Sequence, residues 1–143
     1  MVFKFEELIK MAANHIASAD PVLSPIISRY GICTIRPHTN YYRELVESII
    51  SQQLSVKAAA SINRKFIDLF DAEFPSPSAI LEKSHEELRS AGLSNAKAKY
   101  ITDLAQHVLD GRLKFDKFDS LSNQDIINEL TTVKGIGEWT AHM

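Results

Sequence analysis

Hydrophobic residues recur with a helical period along most of the chain. The first stripe has the i, i+3, i+4, i+7 spacing of an amphipathic helix, and it consists of Phe5, Leu8, Ile9 and Ala12. The same period returns on both sides of Gln52-Gln53-Leu54 and again from Tyr100 to Leu109. Residues 33–37 suit an extended conformation, but no second segment could pair with them as a strand, so we interpret them as a connector. The pattern predicts an all-α fold.

Capping and breaking residues divide this pattern into helices. Asp20 and Pro21 end the first helix, and residues 52–54 form a turn between two later ones. The further predicted helices run from Pro21 to Tyr30, from a cap at Thr39 or Asn40 to that turn, from Val56 to Phe70, from Pro77 to Leu81, from His85 to Ser90, from a cap at Ser94 or Asn95 to Gly111, from Ser122 to Leu130, and onward from Glu138. No linker is long enough to separate independent domains, so we predict a single helical unit over residues 1–143.

Composition is that of an ordinary globular domain. The chain has 143 residues, of which 45% are hydrophobic, and this suffices for one compact core. No apolar run is long enough to cross a membrane, and the first residues lack the layout of a secretory signal. We therefore expect an intracellular protein with no membrane partner, in the cytoplasm of a prokaryote or the nucleus of a eukaryote. Cys33 is the only cysteine, which excludes an intrachain disulfide, and we expect it to be a small buried apolar residue.

The formal net charge of −2 argues mildly against a general nucleic-acid binder. Basic residues such as Lys57, Lys97 and Lys134 nevertheless lie near the motifs described below, and phosphate contact depends on the local field more than on net charge. For any one of these lysines, the alternative is a scattered charge on a solvated helix surface. If the chain binds DNA, its weak basicity predicts modest affinity for undamaged duplex.

The most distinctive segment, residues 130–143, has the pattern of two helices joined by a tight turn, Gly135-Ile136-Gly137. Because glycine lacks a Cβ, the backbone there can adopt positive φ and approach another molecule closely. The unpaired amides at the start of the helix that Glu138 opens favour an anion such as phosphate. From the spacing alone, an ordinary turn between two helices is an equal alternative.

Three motifs together resemble those of the helix-hairpin-helix DNA glycosylases, and within that family the 3-methyladenine, or alkylation-damage, branch. They are Val-Lys-Gly-Ile-Gly-Glu-Trp-Thr-Ala from Val133, Gln-Gln-Leu-Ser from Gln52, and Gly-Leu-Ser-Asn-Ala-Lys-Ala from Gly92. They occur in the family's order and spacing, and the resemblance covers residues 20–143. It implies the family's helical fold, with one lobe over about residues 37–130 and a second lobe, including the hairpin, to which residues 1–36 and 131–143 contribute.

The resemblance implies how the hairpin would hold duplex DNA. The backbone amides of Gly135 and Gly137 and the Thr140 end of the following helix would bind a phosphate group. The carbonyl groups of Thr131, Val133 and Gly135 would bind a monovalent cation that bridges to this phosphate. We expect no other cofactor and no metal ligand from side chains, since the histidines show no zinc-site spacing.

An enzyme that acts on a base in a duplex must extrude the nucleotide and fill the gap that it leaves. A side chain on a sharp turn can do this, and Gln53 matches the family's intercalating residue in position. The alternative is that the glutamine pair only satisfies local backbone groups at a helix junction. Leu54 is expected to pack inward.

Trp139 is the strongest candidate for the base pocket. In bifunctional members of the superfamily, a lysine at this place attacks the sugar as an amine nucleophile. The tryptophan implies instead a monofunctional glycosylase whose aromatic face stacks on an alkylated, positively charged base. A buried tryptophan beneath the hairpin is the alternative. Tyr42 and Met143 are weaker candidates for the pocket walls.

Hydrolysis would need a carboxylate that stabilises an oxocarbenium-like transition state. The family's catalytic aspartate lies beyond the hairpin at a distance that would fall past Met143, so we expect a chain truncated at its C-terminus and leave the catalytic residue unknown. Five aspartates of this chain do not stand at the matching position, and we expect them to be caps or exposed helix residues: Asp103, Asp110, Asp116, Asp119 and Asp125. The leading hypothesis is a monomeric DNA repair enzyme that removes alkylated purines such as 3-methyladenine from damaged double-stranded DNA, and the alternative is a catalytically silent DNA-binding module.

Overall fold

The computed structural model describes residues 5–37 and 39–142, and in that part of the chain every regular element is helical. The helices are α1 (Phe5–Ala19), α2 (Leu23–Tyr30), α3 (Tyr41–Ser51), α4 (Val56–Asp68), α5 (Pro77–Glu82), α6 (His85–Ser90), α7 (Asn95–Leu109), α8 (Asn123–Leu130) and α9 (Glu138–His142). A 3₁₀ helix covers Phe115–Ser120. The all-α prediction is confirmed, and residues 33–37 form a connector without a strand.

Side-chain caps set most helix starts, as the sequence predicts. A side-chain oxygen before the helix accepts a hydrogen bond from a backbone N–H of the first turn, which otherwise has no partner. These caps are Asn40, Ser55, Ser76, Ser84, Ser94 and Ser122. The two starts that the sequence left open are therefore decided in favour of Asn40 and Ser94.

Several helix bounds and one element differ from the predictions; α5, for example, ends at Glu82 and not at Leu81. The second helix begins at Leu23 and not at Pro21, because the Asp20 carboxylate accepts hydrogen bonds from the N–H groups of Val22 and Leu23 and holds a turn there. The fourth helix ends at Asp68, short of Phe70. The 3₁₀ helix was not predicted, since its formation accompanies aromatic contacts of Phe115 and Phe118 with the distant Tyr41, at centroid separations of 6.2 and 5.5 Å.

The chain divides into two compact units, residues 1–39 and residues 40–143. In the first unit α1 and α2 contact each other, and Arg36 Nη1 pairs with Glu6 Oε1 at 2.6 Å. Neither helix has a buried residue. Cys33 is exposed, so the expectation that it is buried is wrong: residues 32–36 and α1 line an open pocket, and Cys33 stays at the surface there. The assignment of residues 1–36 and 131–143 to a second lobe stays a prediction.

The second unit contains the hydrophobic core. Its helix α7 contacts α3, α5 and α6, and its side chains Ala98, Ile101, Leu104 and Ala105 are fully buried. Val133 and Ile136, from the segment between α8 and α9, belong to the same core. Because they bury apolar surface there, they anchor the segment between α8 and α9 to the core. No helix among the described residues has the length and apolar character that a membrane span requires.

Candidate nucleic-acid interface

The hairpin joins α8 to α9 through residues 131–137. The buried side chains of Val133 and Ile136 hold it to the core, and the Ile136 N–H donates to the Val133 carbonyl at 3.1 Å. Gly135 has a φ of +85°, in the left-handed region that favours glycine, whereas Gly137 does not adopt a positive φ. Of the two glycines, only Gly135 therefore adopts a backbone conformation that favours a residue without a Cβ.

The two glycines face different surroundings. A Cβ on Gly135 would lie 2.2 Å from Cδ2 of Tyr100, so this ring occupies the place of a side chain. A Cβ on Gly137 would meet nothing within 4 Å, and Gly137 is exposed. The backbone is therefore packed against the protein at Gly135 and open to an approaching molecule at Gly137.

The turn between α3 and α4, residues 52–54, presents two exposed side chains. Gln53 has a φ of +58°, an unfavourable value for a residue with a Cβ, and its side chain is exposed. Leu54 is 38% exposed, so the expectation that it packs inward is wrong. Its N–H donates to the carbonyl of Ser51 at 3.1 Å, which closes the turn and leaves Leu54 outside both helices.

A hydrogen bond joins this turn to the hairpin. The amide Nε2 of Gln52 donates to the carbonyl of Gly135 at 2.8 Å, across 83 residues of sequence. The ammonium of Lys97 donates to the carbonyls of Ile50 and Gln52 at 2.8 and 2.6 Å, and burial lowers the pKa of Lys97 below its usual value. Gln52 thus bonds to a distant loop, so the alternative that the glutamine pair serves only local backbone groups does not describe it.

Asp103 joins α7 to the hairpin, and no local sequence pattern indicates this contact. Its carboxylate accepts a hydrogen bond from the Lys134 N–H at 2.9 Å, lies 3.6 Å from the Lys134 ammonium, and lies 3.6 Å from Nδ1 of the buried His107. Its side chain is 19% exposed, so the expectation of a cap or an exposed helix residue is wrong for Asp103. Only the fold brings this carboxylate to a hairpin 31 residues further along the chain.

Trp139 is 81% exposed on the five-residue helix α9 that follows the hairpin. The alternative of a tryptophan buried beneath the hairpin is therefore wrong. Thr140, the next residue, is half-buried. Met143, the other pocket candidate near this end of the chain, lies outside the described residues.

Tyr42 lies on α3 and packs against the core. Its ring meets that of Phe74 edge to face, with centroids 6.2 Å apart. Its hydroxyl is buried and has no hydrogen-bond partner among the described residues, and burial raises the pKa of the phenol well above its usual value. A place for Tyr42 in the base pocket stays a prediction.

The carbonyl groups considered as cation ligands all lie within the hairpin segment, residues 131–137. The oxygen of Val133 accepts from Ile136 and that of Gly135 accepts from Gln52. Since a carbonyl oxygen has two lone pairs, each keeps one for a cation. Thr131, which follows α8, directs its hydroxyl to the carbonyl of Ile127 at 2.8 Å. Among the described residues, no group of three His, Cys, Asp or Glu side chains is placed to hold a metal ion.

Comparison with known proteins finds similarity to DNA repair proteins, both for a family profile and for a single relative. Residues 46–140 match the family profile of the HhH-GPD superfamily base excision DNA repair proteins. An alkylbase DNA glycosidase-like protein of Schizosaccharomyces pombe is 31% identical over 139 residues, which span 94% of this chain and 65% of the relative.

Two solved structures superpose closely on this chain. One is a DNA-3-methyladenine glycosidase from Bacillus halodurans, with a TM-score of 0.79 and 37% identity, covering 90% of this chain and 59% of that one. The other is a 3-methyladenine DNA glycosylase of Schizosaccharomyces pombe in complex with abasic DNA, with a TM-score of 0.79 and 30% identity, covering 92% of this chain and 66% of that one. The chain spans about three fifths to two thirds of the length of these proteins.

Proposed function

The chain belongs to the HhH-GPD superfamily of base excision DNA repair proteins, and from this we propose that it hydrolyses the N-glycosidic bond of alkylated purines such as 3-methyladenine in duplex DNA. The observation that carries the proposal is the exposure of Trp139, 81% of whose surface is open beside the hairpin. An apolar indole costs free energy when it faces water. Its exposure is consistent with a surface that a flipped base covers.

DNA binding would centre on the hairpin. The exposed Gly137 leaves its backbone accessible, so a phosphate group can approach the amides there without meeting a side chain. We propose that the amides of Gly135 and Gly137, with Thr140, bind one phosphate, and that a monovalent cation held by the carbonyls of Thr131, Val133 and Gly135 bridges to it. The free lone pairs at Val133 and Gly135 support this arrangement.

Extrusion of the base would use the neighbouring turn. The exposed side chain of Gln53 stands on a left-handed residue beside the hairpin, because Gln52 joins the two loops. We call the intercalating side chain of Gln53 the wedge. One chain therefore supplies both the wedge and the phosphate site, which supports action as a monomer.

Recognition of the lesion would use Trp139. An indole face attracts a cationic N-alkylated purine more than a neutral base, and stacking contributes about 1–3 kcal/mol per base. Tryptophan has no nucleophilic amine, so no Schiff base would form at this position and the strand would not be cleaved.

We assign no catalytic carboxylate among the described residues. Asp103 is engaged by the hairpin, and the Asp110 carboxylate accepts from Gln106 and Arg112. Asp125 accepts from the Ser122 hydroxyl at the start of α8. Each of these three carboxylates is engaged in hydrogen bonds within the protein, and the hydrolytic step has no assigned residue here.

The proposal is tested by release of free 3-methyladenine from methylated duplex DNA, measured by chromatography on the protein as its gene encodes it. Borohydride reduction during the reaction serves as the control for the monofunctional mechanism. Base release without a borohydride-trapped complex is the expected result. A trapped covalent complex would refute the monofunctional mechanism, and tight binding to an abasic-site duplex with no base release would favour the silent DNA-binding module instead.

A further inference from the structure

Three side chains on one face of α7 contact the two loops of the interface. Lys97, Tyr100 and Asp103 lie three residues apart, so they share a face of the helix. Lys97 contacts the turn at residues 52–54, whereas Tyr100 and Asp103 contact the hairpin. We call these three residues the α7 stripe.

On the side of the turn, Lys97 satisfies the end of α3. The last carbonyl groups of a helix have no partner within it, and the Lys97 ammonium donates to two carbonyls in this region, those of Ile50 and Gln52. The very next residue is Gln53, whose left-handed φ is unfavourable for a side chain with a Cβ. Such a conformation persists only when its surroundings fix it, and Lys97 fixes the backbone directly before it.

On the side of the hairpin, Asp103 holds the residue before the first glycine. Its carboxylate accepts from the Lys134 N–H at 2.9 Å, so this amide points back to α7 and is not available to a phosphate. One helical turn closer to the start of α7, the Tyr100 ring lies flush against Gly135. Gln52 completes the connection, since its backbone is held by Lys97 and its side chain by Gly135.

We propose that the α7 stripe is a positioning element that fixes the turn and the hairpin relative to each other. Lys97 positions the turn and Asp103 positions the hairpin, and neither needs to touch DNA. The effect on base excision rests on the proposed function, whereas the effect on the two loops is a property of the free protein.

The first experiment measures amide hydrogen exchange by NMR on the free full chain. The reporters are the Leu54 N–H, which bonds to Ser51 within the turn, and the Ile136 N–H, which bonds to Val133 within the hairpin. Lys97→Met removes both hydrogen bonds of this ammonium, so it should speed exchange at Leu54 by about tenfold or more, since about tenfold corresponds to the net contribution of a single charge-assisted hydrogen bond. Lys99→Met is the matched control, because it removes the same charge from the same helix at an exposed position.

The second variant pair tests the hairpin. Asp103→Leu removes the acceptor for Lys134 and should speed exchange at Ile136 more than at Leu54, whereas Asp103→Asn keeps an acceptor oxygen and should restore most of the protection. The backbone amide of the buried core residue Phe66 is the third reporter, and its exchange measures global opening. Equal acceleration at all three amides, or no difference between Lys97→Met and Lys99→Met, would overturn the proposal.

A functional experiment then separates the two loops. Lys97→Met should lower excision from duplex DNA relative to single-stranded DNA, because the wedge matters only where a base must be extruded. Asp103→Leu should weaken binding to an abasic-site duplex without changing that ratio. If the wild-type protein, as its gene encodes it, neither binds nor excises, the proposed function fails while the exchange data still decide the role of the stripe. If the wild type is active and both variants keep its ratio of duplex to single-strand excision and its affinity for the abasic-site duplex, the stripe does not position these loops.

Discussion

Replacement of Gly135 by alanine would test the packing of the hairpin directly. Gly135 has a φ of +85°, and an added Cβ would lie 2.2, 2.4 and 2.7 Å from three ring atoms of Tyr100. The substitution therefore introduces two separate costs: an unfavourable backbone conformation and a steric overlap with an aromatic ring in contact with the core.

Both costs can be estimated. A left-handed backbone costs an L-residue about 1–2 kcal/mol, and overpacking by one methyl group costs about 1–3 kcal/mol. Gly135→Ala should thus lower the free energy of unfolding by about 2–5 kcal/mol, out of the roughly 5–15 kcal/mol typical of a domain. Gly137→Ala is the matched control, because its Cβ would meet nothing and its φ is not positive; its free energy of unfolding should stay within about 1 kcal/mol of the wild type.

The assay is urea denaturation followed by helical circular dichroism, combined with binding to a duplex that carries an abasic-site analogue. Gly137→Ala should keep its stability yet bind more weakly, with little dependence on sequence, since the methyl group obstructs backbone contact with phosphate and not base reading. Wild-type affinity in a stable Gly137→Ala protein would mean that the hairpin is only a structural turn.

A double-mutant cycle with Tyr100→Ala separates the two costs of Gly135→Ala. Removal of the ring should relieve the steric part, about 1–3 kcal/mol, and leave the backbone part. An equal cost of Gly135→Ala with and without the Tyr100 ring would refute the steric argument. A total cost below about 1 kcal/mol would refute the backbone argument as well.

Three further predictions concern single side chains. Gln53→Ala should slow excision from duplex more than from single-stranded or mismatched DNA, because only a paired base needs a wedge for extrusion. Trp139→Ala should slow excision of cationic lesions in every strand context, by the loss of about 1–3 kcal/mol of stacking; identical kinetic profiles for these two variants would contradict the separate roles. Burial raises the pKa of the Tyr42 phenol above its ordinary value of 10.0, so Tyr42 contributes a fall in the free energy of unfolding as the pH rises above that value; thermal melts should therefore show that the wild type loses more stability over this range than Tyr42→Phe does.

The helices could be predicted from the sequence because their signals are local. Ser55 and Ser94 cap helices through amides three residues away, and a hydrophobic stripe needs only its own period. The 3₁₀ helix at Phe115–Ser120 escaped this reasoning, because its aromatic partner Tyr41 is far away in sequence. The hairpin glycines and the exposed Gln53 turn were found through their motifs, although a motif does not tell which glycine is packed and which is open.

By itself, then, the sequence determined the all-α fold, most helix bounds and the family to which the hairpin belongs, since periodicity, caps and short motifs act within a few residues. Only the tertiary structure decided which polar groups meet. Gln52 reaches a hairpin 83 residues away, Lys97 reaches a turn 45 residues before it, and Asp103 reaches an amide 31 residues after it. These contacts depend on how α7 lies in the core, and no local pattern carries that information. Exposure was decided in the same way: Trp139 and Leu54 are both apolar, and only the surroundings that the fold provides leave them at the surface.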